Sequence, residues 1–119
     1  MKAEELRIGN IVNWQLGKTI KQGIITTVSP PIVVIDHSIK VKDCNLFDVF
    51  LTEEWLIKFG FERVQHDVRY FRHGSLRLKT HSKGYFFNYV ISRTYIQYVH
   101  QLQNLYFALT GEELKIKES

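Results

Sequence analysis

Four of the five histidines in this chain, His66, His73, His81 and His100, fall between residues 63 and 100. With Asp67 they are the side chains best suited to hold a metal ion, and His73 and His81 are spaced to face each other across a hairpin. A metal site needs three or four ligands at suitable spacing, yet no cysteine partner and no H-x-x-x-H helix accompanies them. A small metal-dependent hydrolase using His73 and His81 is the alternative that this leaves open. Cys44 is the single cysteine; beside Leu46 and Phe47 it reads as a small buried hydrophobe rather than a nucleophile. There is no G-x-S-x-G elbow, and the seven glycines are scattered singly at turns rather than gathered in a phosphate loop. Glu53 and Glu54 are adjacent on a helix, where side chains point about 100° apart, so they suit a helix N-terminus better than paired acid and base work. The expectation is a non-enzymatic protein with no cofactor.

What remains is charge and aromatic rings. Residues 63–100 carry Arg63, Arg69, Arg72, Arg77, Lys79, Lys83 and Arg93 against Asp67 alone, whereas the whole chain nets only +4. The excess positive charge therefore lies in one third of the sequence. Tyr70, Phe71, Tyr85, Phe86, Phe87 and Tyr89 are interleaved with it. Cations neutralise phosphates and exposed rings stack on unpaired bases. The candidate binding set is Arg69, Arg72, Arg77, Lys79 and Lys83, with whichever rings are exposed among Tyr70, Phe71, Tyr85 and Phe86. The partner expected is nucleic acid, single-stranded or guide RNA, or a host nucleoprotein or protein. A basic face that docks an acidic protein fits the same residues, and a sheet covered by a helix would use most of these rings as core.

The elements that must position this set are read from periodicity and turn signals. Ile8, Ile11, Val12 and Trp14 make a first strand, Gly17 a turn, and Ile20, Ile24, Ile25 and Val28 a second strand ending at Ser29-Pro30-Pro31. Ile32–Ile35 reads as a buried strand, with Asp36-His37-Ser38 as the turn before Ile39 and Val41. Short strands with tight connections suggest a strongly bent sheet or small barrel over 1–50, and Leu6-Arg7-Ile8-Gly9-Asn10-Ile11-Val12 looks like the entry strand of a small SH3-like barrel. Residues 51–61 read as a short helix capped by Thr52, acidic in its first turn and ended by Gly60, with Trp55, Leu56 and Phe59 on one face. Three strands follow, Val68 to Arg72, Leu76 to Thr80 and Tyr85 to Ile91. In the middle one Leu76, Leu78 and Thr80 alternate with Arg77, Lys79 and His81, so one face is apolar and the other cationic. A last helix from about Tyr98 to Leu109 carries Val99, Leu102, Leu105, Tyr106 and Leu109 on one stripe and is expected to lie across that sheet, with Gly111 as its cap and 115–119 as a frayed tail.

The fold class expected is therefore α+β in a single domain over 1–119, with the second sheet and last helix filling 62–114. At 119 residues with 45% hydrophobic content the chain is long enough for one packed core. No apolar run reaches the roughly 18 residues a membrane helix needs, and MKAEELRIGN has no signal-peptide core. With one cysteine and no disulfide to form, the expected location is the cytoplasm and no membrane is expected as partner.

Three stretches resemble a known group: Arg7-Ile8-Gly9-Asn10, Leu51-Thr52-Glu53-Glu54-Trp55-Leu56-Ile57-Lys58-Phe59-Gly60-Phe61, and Tyr98-Val99-His100-Gln101-Leu102-Gln103-Asn104-Leu105-Tyr106-Phe107-Ala108-Leu109-Thr110-Gly111-Glu112-Glu113-Leu114. Together they resemble a family of small uncharacterised proteins of anaerobic and gut-type bacteria and of their phages and mobile elements. The resemblance runs nearly end to end and carries no catalytic or binding residue with it. It implies a mobile-element context, in which a protein-binding inhibitor or adaptor, such as an anti-CRISPR or other anti-defence protein, acts by occluding a larger host machine. Within the last helix, His100, Gln103 and Asn104 border the apolar stripe, and structural use of these polar groups is the reading the sequence favours.

Overall fold

The computed structural model describes residues 6–66, 69–74, 76–81, 84–87 and 95–116, the side chains of Phe86 and Phe87 excepted. In chain order its elements are β1 (Ile11–Leu16), β2 (Thr19–Ser29), β3 (Ile32–Ile35), β4 (Ile39–Lys42), β5 (Leu46–Phe47), α1 (Glu53–Lys58), β6 (Glu62–Arg63), β7 (Tyr70–His73), β8 (Leu76–His81), β9 (Gly84–Phe87), β10 (Tyr95–Ile96) and α2 (Val99–Thr110). The fold is α+β, with two five-stranded antiparallel sheets. The chain falls into two compact units. One comprises the sequence up to Val49 with Tyr98–Glu113, the other Phe50–Gln97 with the sequence from Leu114.

The first unit holds the sheet ordered β4-β3-β2-β1-β5. β2 serves two partners: Thr19–Ile24 pair with β1, and Ile25–Ser29 with β3. A register shift between Ile25 and Thr27 marks the place where the strand changes partner, as bulges do when they bend a sheet. A single 3-10 turn, Asp43–Asn45, then brings β5 onto the far side of β1. The four strands β1 to β4 thus form an antiparallel meander, and β5 closes its open edge at β1. Its core is Val12, Trp14, Ile25, Val33, Ile35, Val41 and Leu46, each at most 6% exposed, and the period-2 alternation of β3 and β4 delivers these side chains inward. Gly23 permits the packing, since a Cβ there would lie 2.3 Å from Ile35 Cγ2. The turn between β3 and β4 is tight enough to hold Asp36 and His37 at φ 49° and 66°, and Asp36 Oδ1 accepts from Ile24 N at 3.0 Å.

Helix α2 belongs to this unit, where periodicity alone had laid it across the second sheet. Its polar residues explain the difference. Gln103, 2% exposed, accepts from Ile11 N and donates to Gly9 O, both at 2.9 Å, so it satisfies two backbone groups that β1 leaves open at its start. Val99, His100, Leu102 and Gln103 are buried, whereas Leu109 at the far end of the expected stripe is exposed. At the start of the helix Gln101 Oε1 accepts from Tyr98 N at 3.2 Å, and the helix ends at Gly111 with φ 73°.

In the second unit α1 is capped by Thr52, whose hydroxyl accepts from Trp55 N, and has Glu53 and Glu54 in its first turn. Leu56 and Phe59 are buried and Trp55 is half-buried. The sheet is ordered β10-β9-β8-β7-β6. Two of its five strands, β6 and β10, are only two residues long and carry no periodic signal, which is why three strands were expected. Residues 113–116 form no strand.

Candidate nucleic-acid interface

Cross-strand partners in an antiparallel sheet project to the same side, so the register of the second sheet sorts the candidate residues into two faces. Phe71 pairs with Leu78, and His73 with Leu76. Phe71, Leu76 and Leu78 are 1%, 6% and 0% exposed, so this is the packed face. The other face carries Arg72 opposite Arg77 and Tyr70 opposite Lys79. Lys79 is in turn opposite Phe86, and Phe86 opposite Tyr95. One row of positions, Tyr70, Lys79, Phe86 and Tyr95, thus crosses four strands, and Arg72 and Arg77 stand beside it.

Arg72, Arg77 and His81 are exposed, while Tyr70, Lys79 and Tyr95 are half-buried. Lys79 Nζ lies 5.9 Å from the centre of the Tyr70 ring. The rings of His81 and Tyr95 stack at 4.5 Å between centroids and 21° between planes. These two residues sit on β8 and β10 with β9 between them, and the β9 residue opposite His81 is Gly84, which contributes no side chain to separate them. A Cβ on Gly84 would also lie 2.6 Å from Ile96 O. Glu62 on β6 is opposite Arg72, but among the described residues no carboxylate forms an ion pair with Arg72, Arg77 or Lys79. The carboxylate of Glu53 is instead engaged by Arg63, which also lies over the Phe71 ring.

The candidate set divides accordingly. Arg72, Arg77, Lys79 and Tyr70 share one face. Arg69 is exposed but is paired through its carbonyl with Thr80 N at 2.7 Å; alternation places it on the side of Leu78, away from Lys79. Phe71 is a core residue and presents no surface for stacking. Tyr85 also lies on the packed side, edge-on to Phe71 at 6.4 Å, and burial, followed by the nearby Glu53 carboxylate, pushes its phenol pKa up against a smaller opposing pull from Arg63. Phe86 holds its place in the row by register, and Lys83 lies outside the described residues. The residue missed was Tyr95. Nothing near it alternates, and only the pairing of β10 with β9 brings it to His81.

The histidine pair does not converge. His73 pairs with Leu76 at one end of β8 and His81 closes the other, a separation of about 17 Å along the strand. They also project to opposite faces, His73 against Phe61 at 5.2 Å. Among the described residues no three His, Cys, Asp or Glu side chains gather as a metal site would require. Cys44 is exposed in the 3-10 turn rather than buried, because Leu46 takes the inward place beside Trp14.

A second polar cluster lies in the first unit. Asn104 Oδ1 accepts from Asn10 Nδ2 and from Arg7 Nη1, both at 2.8 Å. Arg7 also pairs with Glu113 and lies 4.0 Å from the centre of the Phe107 ring. Arg7, Asn10, Gln103, Asn104 and Glu113 thus tie the start of the first unit to its C-terminal helix. No family model, no curated protein and no solved structure matches the chain. Among the described residues no helix is long and apolar enough to cross a membrane.

Proposed function

We propose that this protein is a non-enzymatic nucleic-acid or nucleoprotein binder that uses the exposed face of the second sheet. The observation that carries the reading is the cross-strand pairing of Arg72 with Arg77. Like charges directly opposite each other destabilise an antiparallel pair, so folding gains nothing from two arginines there, and a polyanion placed over them relieves the repulsion. Lys79 and the half-buried rings extend the same face. The resemblance to small proteins of phages and mobile elements accords with a protein that acts by occupying a nucleoprotein surface.

Binding of labelled single-stranded RNA, single-stranded DNA and duplex, each at low and physiological salt, tests the reading when set beside an Arg77→Glu/Lys79→Glu variant. Salt-sensitive binding that the folded variant loses is the expected result. A folded wild type that binds none of the three removes the reading. An inhibitor or adaptor docking an acidic protein through this face then becomes the working account.

A further inference from the structure

We infer that the rings on this face select single strands, with Tyr70 at one end of the row and the stacked His81–Tyr95 pair at the other each taking the face of an unpaired base. This deepens the nucleic-acid reading above and rests on it. The packed side of the sheet already has Phe71, Leu76 and Leu78, so the core does not call for half-buried rings on the opposite side. The row crosses three interstrand gaps, about 14 Å. Its two ring platforms are separated by Lys79 and the Phe86 position. Arg72 and Arg77 lie one step along their strands, about 7 Å from the row, where they meet the phosphates of a strand whose bases turn towards the rings. A duplex keeps its base faces stacked inside and offers such a surface only phosphates. Stacking tolerates any base because every base has a π-face, so the selection is for strandedness rather than sequence.

Fluorescence anisotropy with an oligouridine of about eight nucleotides, an abasic sugar-phosphate strand of the same length and a duplex of the same length separates stacking from charge. The wild type is expected to hold the oligouridine about tenfold more tightly than the abasic strand or the duplex. Tyr70→Leu and Tyr95→Leu are each expected to weaken oligouridine binding by about fivefold or more, with little change for the abasic strand. Equal, salt-sensitive affinity for oligouridine and abasic strand, or a preference for duplex, overturns the inference and leaves the basic face as a phosphate binder. Absence of binding to all three probes by the folded wild type overturns the nucleic-acid reading itself.

Discussion

Arg72 and Arg77 face each other across β7 and β8, two cations on one side of a sheet. Replacing one of them by an acid turns a repulsive cross-strand pair into an attractive one, worth about 0.2–1 kcal/mol. Arg77→Glu is therefore expected to raise the urea midpoint slightly while it weakens polyanion binding. A clear loss of stability in that variant would show that the arginine pair serves the fold, and would remove the physical ground for assigning it to a ligand.

Gln103 supports the first unit from the opposite direction. Its amide satisfies Ile11 N and Gly9 O from a position that is 2% exposed, and truncation strands both backbone groups. Gln103→Ala is expected to cost about 2–4 kcal/mol in chemical denaturation, from two unsatisfied buried groups and a lost side chain. A cost below about 0.5 kcal/mol, the range of ordinary surface changes, would mean that α2 is held by its apolar residues alone.

Gly23 fills a different need. A methyl group there would meet Ile35 Cγ2 at 2.3 Å, inside a core that has no slack. Gly23→Ala is expected to destabilise by about 1–3 kcal/mol through overpacking, and pairing it with Ile35→Leu, which moves the branch off Cβ and so removes Cγ2, is expected to recover part of the loss. Additive losses in the double variant would contradict a direct clash.

Tyr85 sets an alkaline limit. Its phenol pKa is raised above 10.0, first by burial and then by Glu53, so above that pH the unfolded chain releases the proton more readily than the folded one. Stability is unaffected by this group below about pH 10 and falls as pH rises through the raised value. Denaturation midpoints for wild type and Tyr85→Phe are expected to diverge between pH 9 and pH 11, with the phenylalanine variant losing less. Parallel curves would show that the phenol is as well solvated folded as unfolded.

The pattern of the sequence reached the elements whose signals are local. Thr52, Gly60 and Gly111 mark helix ends because capping depends on a few neighbouring residues, and the alternation of β8 separates Leu78 from Lys79 without any knowledge of the fold. What it did not reach depends on pairing. Tyr70 and Phe71 are adjacent and equally aromatic, and only the register with Lys79 and Leu78 decides which is surface and which is core. The same holds for Tyr95, whose two-residue strand has no period. The apolar stripe of α2 fits any apolar surface and does not select a sheet, whereas Gln103 and Asn104 fit the backbone and side chains around Gly9 and Asn10.

The central claim is that Arg72, Arg77 and Lys79 meet phosphates, and the salt dependence of binding tests it most directly. For oligouridine the slope of log affinity against log salt is expected to become shallower by about 0.7 for each phosphate contact removed, so Arg77→Gln should flatten it by about that amount and Arg72→Gln/Arg77→Gln by about twice as much. Slopes that stay at the wild-type value in both folded variants would place the contact elsewhere and contradict the account.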